Sequence, residues 1–167
     1  MKQINRLPNI QTLRNLSTLF QSTHRGIDDL FRVLLEMSVS TVGATNAAIL
    51  MVDEKSGRLQ FYLASGNNSM ELKSVNIPAG QGIAGAVVES GEPVVSNDVN
   101  KDERWFSLAS EKTEVDVKSI VCCPIRLHGK VIGVVELLNK EDDEPFDSQD
   151  VEVLGHFTNI LAMVFEI

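Results

Sequence analysis

Apolar residues recur every three or four positions in three stretches of the chain, which is the spacing of one buried face of an α-helix. The pattern predicts an amphipathic helix within residues 1–24, a second helix over residues 26–42 that ends at Gly43, and a last helix that begins at Asp147. The Asp147 carboxylate can cap the first turn of that helix, with Asp150 three residues later completing a capping box. The predicted apolar faces comprise Ile10, Leu13, Leu16 and Leu19 or Phe20 in the first helix, and Val151, Leu154, Phe157, Leu161, Val164 and Phe165 in the last.

Strand patterns occupy the middle of the chain and form two hairpins. The first pairs residues 46–53 with 57–65. The second pairs residues 119–127 with 130–138 across His128-Gly129, where glycine supplies the positive φ of a tight turn. Between the hairpins, the pattern predicts a strand near 72–77, a short helix from Gly82, a brief strand at 93–95, and an irregular stretch over 97–117 with one helical turn near 104–111.

Helices at the ends of the chain and antiparallel hairpins in its middle predict an α+β fold, an α/β/α sandwich around a central antiparallel sheet of five or six strands. The chain contains no internal repeat, no low-complexity segment and no linker. We therefore expect a single domain over residues 25–167, preceded by the helix of residues 1–24.

The charge, the apolar runs and the cysteine content limit which partners and which cellular compartment suit this protein. Fifteen Lys and Arg stand against 23 Asp and Glu, without a basic cluster, which argues against binding to nucleic acid or to an anionic membrane surface. The longest apolar runs, residues 47–52 and 160–165, are far shorter than the roughly 20 residues of a transmembrane helix. Cys122 and Cys123 are adjacent and offer no disulfide framework, so we expect a reducing compartment, the cytoplasm.

Residues 80–85, Gly-Gln-Gly-Ile-Ala-Gly, have the spacing of a dinucleotide-binding loop. Their surroundings contradict that function, because residues 73–77 alternate polar and apolar, the following helix has only about two turns, and a hairpin comes next in place of further βα units. We interpret the glycines as a tight entry into a helix, with Gly85 letting that helix lie close on the sheet. A helix that starts at Gly82 also presents free amides to an anionic ligand group.

Residues 77–99, 119–140 and 146–157 together resemble a GAF domain, most closely the GAF domains of cyclic-nucleotide phosphodiesterases and adenylyl cyclases. The resemblance covers about residues 27–167. It implies that the N- and C-terminal helices lie on one face of the sheet and that short helices cover a ligand pocket on the other face.

Four residues match the signature of these families, in which Asn-Lys is followed at a distance by Phe, three residues and Asp-Glu. They are Asn139, Lys140, Phe146 and Asp150, while Val151 stands where the final Glu is expected. We interpret Lys140 and Asp150 as a partly exposed ion pair that fixes the last helix over the sheet.

The resemblance also implies which residues contact a ligand. The backbone amides of Ile83 and Ala84 would meet a phosphate, Thr113 would lie in the segment that covers the pocket, and Glu136 would lie on the strand beneath the ligand. The remaining predicted ligand-binding residues are Asp98, Trp105, Phe106 and Val117.

Two positions depart from the nucleotide-binding members of these families. Leu63-Ala64 stands in place of an aromatic-acidic pair that reads the purine, and Val117 stands in place of a threonine. A buried base loses a hydrogen-bonding partner at each of these places.

Other chemistry has less support in the sequence. Free methionine sulfoxide reductases of this family need several cysteines around the pocket, whereas adjacent strand residues such as Cys122 and Cys123 point to opposite faces. His24, His128 and His156 lie in separate elements without metal-ligand spacing. The acidic run 141–144 lacks the alternating ligands and central glycine of a calcium loop. We expect no catalytic residue, no metal site and no required cofactor.

These observations predict a sensory or regulatory module of a signalling protein. In this interpretation a small molecule occupies the pocket, orders residues 97–117, and shifts the terminal helices of a homodimer that acts on a downstream effector domain. The alternatives are a receptor for cyclic AMP or cyclic GMP, a dimerisation domain without a ligand, and a free methionine sulfoxide reductase.

Overall fold

The computed structural model describes residues 26–65, 72, 75–107, 111 and 115–166. The helix predicted within residues 1–24 lies outside these ranges, as does Thr113. In chain order the described elements are α1 (Ile27–Val42), β1 (Ala44–Val52), β2 (Leu59–Ala64), β3 (Asn76–Ile77), α2 (Gly82–Ser90), β4 (Val94–Ser96), β5 (Ile120–Leu127), β6 (Lys130–Lys140) and α3 (Ser148–Phe165), with 3₁₀ turns at Val99–Lys101 and Glu141–Asp143.

The six strands form one antiparallel sheet in the order β3-β2-β1-β6-β5-β4. Both predicted hairpins are confirmed, and His128 and Gly129 at the β5–β6 turn have φ values of +52° and +77°. The register places Glu136 of β6 opposite Ala48 of β1 and Cys122 of β5. These three residues therefore form one row across the middle of the sheet.

Helices α1 and α3 cover one face of the sheet, and α2 covers the other, which confirms the predicted sandwich. Neighbouring strand residues alternate between the two faces. Cys123 and Val135 pack beneath α1 and α3, whereas Cys122 and Val134 pack beneath α2. The two adjacent cysteines thus face opposite sides of the sheet, as predicted.

The start of α1 meets the end of α3. Phe31 lies one turn into α1 and packs against Phe165 in the last turn of α3, with ring centroids 4.7 Å apart. Tyr62 of β2 contacts both rings, at 5.6 and 6.5 Å. The described chain therefore enters and leaves the helical layer at the same end.

Local signals set the ends of the helices. Gly43 caps α1 in the left-handed conformation, and Asp147 and Asp150 form the predicted capping box at the start of α3. The predicted helical turn near 104–111 is described in part: Glu111 is helical and its amide donates to the Ser107 carbonyl at 2.9 Å. No helix among the described residues combines the length and apolar character needed to cross a membrane.

Two predictions were wrong in detail. The strand expected near 72–77 is shorter, because Leu72 is helical and only Asn76–Ile77 pair with β2 before Pro78, which has no amide to extend the ladder. The Lys140–Asp150 pair is more buried than expected, with side chains 12% and 0% exposed. Its burial follows from the inward turn of the Asp150 carboxylate, which also accepts from the Asp147 amide at 3.0 Å.

Candidate functional site

The face of the sheet beneath α2 is largely apolar and carries one carboxyl group near its centre, that of Glu136. Alternation along β6 points Glu136 to the same side as Val134, toward α2. The apolar residues on this side, including those of α2, form a single cluster with Ala48, Leu50, Phe61, Ala64, Ile83, Ala84, Val87, Ile120, Cys122 and Val134 among its members.

Glu136 has no hydrogen-bond or ion-pair partner among the described residues. Burial raises the pKa of its carboxyl group to about 7. Glu136 still keeps part of its surface accessible and is therefore not sealed into the core. We call the accessible space beside this residue the recess. A carboxyl group in this position is available to a hydrogen-bond donor of a ligand.

The glycine-rich turn leads directly into α2. Gly80 and Gly82 have φ values of +75° and +74°, a conformation that favours glycine. A Cβ atom on Gly85 would come 2.7 Å from the carbonyl carbon of Gly80. The glycines thus form a tight entry into a helix, as interpreted, and the nearest atoms to a Cβ atom on Gly85 belong to the backbone of the turn.

The first turn of α2 offers unpaired backbone amides. Those of Gly82, Ile83 and Ala84 have no acceptor within the helix, because the first amides of a helix lie ahead of any carbonyl in it. The Gln81 side chain makes no capping hydrogen bond, and the first turn contains no acidic residue. The amides and the positive end of the helix dipole together favour an anionic group at this point.

Trp105 and Phe106 lie on the side of the sheet that Glu136 faces. Both are half-buried and pack against the apolar cluster beneath α2. Phe106 lies against the start of α2, since a Cβ atom on Gly82 would come 3.3 Å from the Phe106 Cβ atom. Val117 is buried in the same cluster.

The structure places five of the predicted ligand-binding residues in or against the apolar cluster beneath α2, on the side of the sheet that Glu136 faces: Ile83, Ala84, Trp105, Phe106 and Val117. Asp98 is exposed, and its carboxylate pairs with Lys101 at 3.6 Å. Thr113 is outside the described residues. The roles of all eight in binding remain predictions.

The four residues of the family signature hold the surrounding loops. Asn139 accepts hydrogen bonds from the Lys118 and Ser119 amides at 2.7 and 3.2 Å. Lys140 donates to Asp150 at 2.6 Å, and Phe146 is buried in the core beneath α1 and α3.

Asn97 was missed by the sequence analysis. Its side-chain amide donates to the Phe146 carbonyl at 3.1 Å and accepts from the Phe146 amide at 2.9 Å. A single Asn after a brief strand carries no pattern that would identify this role.

The two thiols are poorly suited to nucleophilic chemistry. Burial, assisted by the nearby Glu136 carboxyl, raises the pKa of Cys122 well above its usual value. Burial also raises the pKa of Cys123 to about 12. Because the thiolate is the reactive form, both groups are held in their unreactive state near neutral pH.

Comparisons with known proteins agree with this architecture. Residues 24–166 match the family model described as GAF domain. A probable 3′,5′-cyclic phosphodiesterase of Caenorhabditis elegans is 30% identical over 165 residues, a match that covers 89% of this chain and 22% of the relative. The chain thus spans about a fifth of that relative's length.

Solved structures share the fold at low sequence identity. The GAF domain of a phosphoenolpyruvate-protein phosphotransferase from Coxiella burnetii superposes with a TM-score of 0.81 at 17% identity, covering 97% of this chain and 95% of that one. A free methionine-R-sulfoxide reductase from Neisseria meningitidis superposes with a TM-score of 0.72 at 22% identity, covering 92% and 86%. At these identities the likeness concerns the fold alone.

Proposed function

The chain belongs to the GAF domain family, whose members are commonly sensory or regulatory modules of signalling proteins, and from this premise we propose that its recess binds a 3′,5′-cyclic purine nucleotide. The observation that carries the proposal is the Glu136 carboxyl group, which has no partner among the described residues and faces α2 from the middle of an apolar surface. A ligand that donates hydrogen bonds to this group would relieve the cost of its burial.

A cyclic purine nucleotide has chemistry that suits both ends of the recess. Its phosphate is an anion that the amides at the start of α2 can bind, as proposed for Ile83 and Ala84. Its purine ring is flat and largely apolar, and the ring edge carries N–H donors that can reach Glu136.

Leu63-Ala64 stands where the nucleotide-binding members have an aromatic-acidic pair, and this difference makes Glu136 more important in the proposal. Leu63 packs beneath α1 and α3, on the far side of the sheet, and Ala64 faces the recess without a polar group. Recognition of the base therefore falls to Glu136. The name of the Caenorhabditis elegans relative, a 3′,5′-cyclic phosphodiesterase, supports the same ligand class.

The proposal is tested by thermal unfolding of the protein with cyclic AMP, cyclic GMP and their 5′-monophosphates as controls. A ligand at 100 times its dissociation constant stabilises the folded state by about 2.7 kcal/mol, so a bound cyclic nucleotide raises the unfolding temperature by several degrees. We expect the Glu136→Gln variant to show a smaller rise. No rise with either cyclic nucleotide at millimolar concentration would rule this ligand class out.

The second part of the proposal concerns how the ligand signal passes from the recess to an effector domain. Ile27 and Met163 are large apolar residues with 42% and 66% of their surface exposed, and both lie at the end of the helical layer where α1 begins and α3 ends. Exposed apolar groups of this kind support a homodimer formed through these helices, which would pass the ligand signal to an effector domain. Cytoplasmic location remains part of the same proposal.

Of the two remaining alternatives, a dimerisation domain without a ligand is supported by the same exposed residues and would leave the recess empty. A free methionine sulfoxide reductase has less support. Cys122 and Cys123 are both buried and face opposite sides of the sheet, so neither can resolve an intermediate formed on the other without a rearrangement of β5.

A further inference from the structure

Two described segments carry residues that pack against the apolar cluster beneath α2. They are residues 97–107 after β4 and residues 115–119 before β5, and we call them the rim segments. The first carries Trp105 and Phe106 and the second carries Val117, all packed against the cluster beneath α2. A backbone hydrogen bond from the Val99 amide to the Lys118 carbonyl, 3.0 Å long, joins the two segments to each other.

The first rim segment is held at its start by Asn97. The Asn97 amide side chain makes a reciprocal pair of hydrogen bonds with the backbone of Phe146, at 3.1 and 2.9 Å. Phe146 is itself buried in the core beneath α1 and α3. These two hydrogen bonds therefore join the end of β4 to a buried residue that lies 49 positions away in sequence.

The second rim segment is held by Asn139. Its side-chain oxygen accepts from the Lys118 and Ser119 amides, and its side-chain nitrogen donates to the Asp116 carbonyl at 2.9 Å. The Asn139 amide also donates to the Ser119 carbonyl at 2.9 Å. Asn139 thus makes hydrogen bonds with four backbone groups of this segment.

The hydrogen bonds of Asn97 and those of Asn139 both involve the same stretch of chain, residues 139–147, which we call the connector. The connector is fastened to the start of α3 by the buried Lys140–Asp150 pair and by the reciprocal capping of Asp147 and Asp150. It is also joined to the end of α1 through a 2.7 Å hydrogen bond from the Glu141 amide to the Gly43 carbonyl.

We infer that Asn97 and Asn139 are positioning residues that join the rim segments to the first turn of α3, so that the segments and the helix rearrange as one unit. The inference goes beyond the proposed ligand and does not depend on its identity. Each side-chain amide supplies a donor and an acceptor together, so it fixes the rim segment in two directions. A displacement of the rim segments then moves the connector and, through it, Asp150. Because the Asp150 side chain is fully buried, it moves together with its surroundings.

Amide hydrogen exchange, followed by NMR on the whole chain without ligand, tests this inference. The reporters are the amides of Asp150 and Val151, which donate to Asp147, and the reference is the Gly91 amide, which donates to Val87 at the end of α2. The variants are Asn97→Ala and Asn139→Gly, because Asn139 has a φ of +53° that glycine adopts without strain. The exposed Asn100→Ala is the matched control.

We expect each of the two variants to accelerate exchange at Asp150 and Val151 about threefold to tenfold, the equivalent of one or two lost hydrogen bonds, with the Gly91 amide unchanged. The Asn100→Ala variant should leave all three amides unchanged. Acceleration confined to the rim and to Phe146, or equal acceleration at Gly91, would overturn the inference.

The coupling must also operate in reverse, since linkage between two parts of a protein is reciprocal. Lys140→Met loosens the start of α3 and should accelerate exchange of the Trp105 amide, which donates to the Asp102 carbonyl in the first rim segment. An unchanged Trp105 amide in a folded Lys140→Met protein would count against the inference, whatever the Asn variants show.

Discussion

At the scale of the residue, Gly85 and Gly155 both lie inside helices but differ in the space around them. A Cβ atom on Gly85 would meet the Gly80 carbonyl carbon at 2.7 Å, whereas nothing lies within 4 Å of a Cβ atom on Gly155. We expect Gly85→Ala to lower the free energy of unfolding by roughly 1–3 kcal/mol, because backbone must shift. Gly155→Ala should raise it by about 0.5–1 kcal/mol through helix propensity.

Urea denaturation of both alanine variants, followed by circular dichroism, measures these two free energies. The two proteins carry the same chemical change, so each serves as the control for the other. Equal stability of the two variants would contradict the close contact between Gly85 of α2 and Gly80 of the preceding turn.

Glu136 makes stability depend on pH. Its pKa is raised from 4.5 to about 7 by burial, so between these values the folded chain holds a proton that the unfolded chain has released. The free energy of unfolding therefore falls as the pH rises through this window. Glu136→Gln removes the effect, and we expect this variant to be more stable than the wild type by roughly 1–3 kcal/mol at pH 8, with the difference shrinking toward pH 4.

Thermal or urea unfolding at several pH values from 4 to 8 provides the measurement, with Glu36→Gln, an exposed position on α1, as the control. A difference between Glu136→Gln and wild type that stays constant over this range would show that the carboxyl group ionises as it does in water.

At the scale of the element, α3 is joined to the sheet by a buried ion pair. Lys140→Met would leave the Asp150 carboxylate, which is fully buried, without its cation. We expect a loss of about 3 kcal/mol in the free energy of unfolding, because an uncompensated buried charge is costly. Lys118→Met is the matched control, since the Lys118–Asp143 pair is 3.8 Å long and exposed, and its loss should change stability by less than about 0.5 kcal/mol.

Urea denaturation at neutral pH separates the two lysine variants. Similar stability of both would mean that the Lys140–Asp150 pair is not desolvated as the structure indicates, and would favour the partly exposed pair that the sequence predicts.

Elements could be predicted well where their signals are local. The hairpin at His128-Gly129 and the capping of α3 by Asp147 depend on residues next to one another, so their sequence patterns were sufficient. The strand near 72–77 failed for a different reason. Its alternation was correct, but pairing with β2 stops after two residues, and pairing is a property of two segments.

At the scale of the whole molecule, the proposed homodimer uses the end of the helical layer. We expect the Ile27→Glu, Met163→Glu double variant to be monomeric, because two charges would be buried in the interface. Analytical ultracentrifugation of wild type and variant measures the change. Asn76→Glu, on an exposed residue of β3, controls for added charge.

A wild-type protein that sediments as a monomer at about 100 µM, a concentration at which even a micromolar interface is occupied, would remove the dimer from the proposal. A double variant that stays dimeric would place the interface elsewhere. Either result leaves the proposed ligand site to its own test.

The candidate site was predictable only in part. The glycine turn and the resemblance to GAF domains indicated Ile83, Ala84 and Glu136 by number, and the structure places all three on the α2 side of the sheet. Asp98 was named with them, but it lies on the surface with Lys101 as its partner.

The sequence alone determined helices α1, α2 and α3, the two hairpins, the capping of α3 and the family. Each of these depends on the local period of apolar residues or on motifs of adjacent residues. The tertiary structure decided three other things: the carboxyl group of Glu136 meets no partner among the described residues, Lys140 and Asp150 are buried, and Asn97 binds Phe146. These depend on strand order and register, which bring together residues that are distant along the chain, and desolvation acts on a group only after that packing is complete.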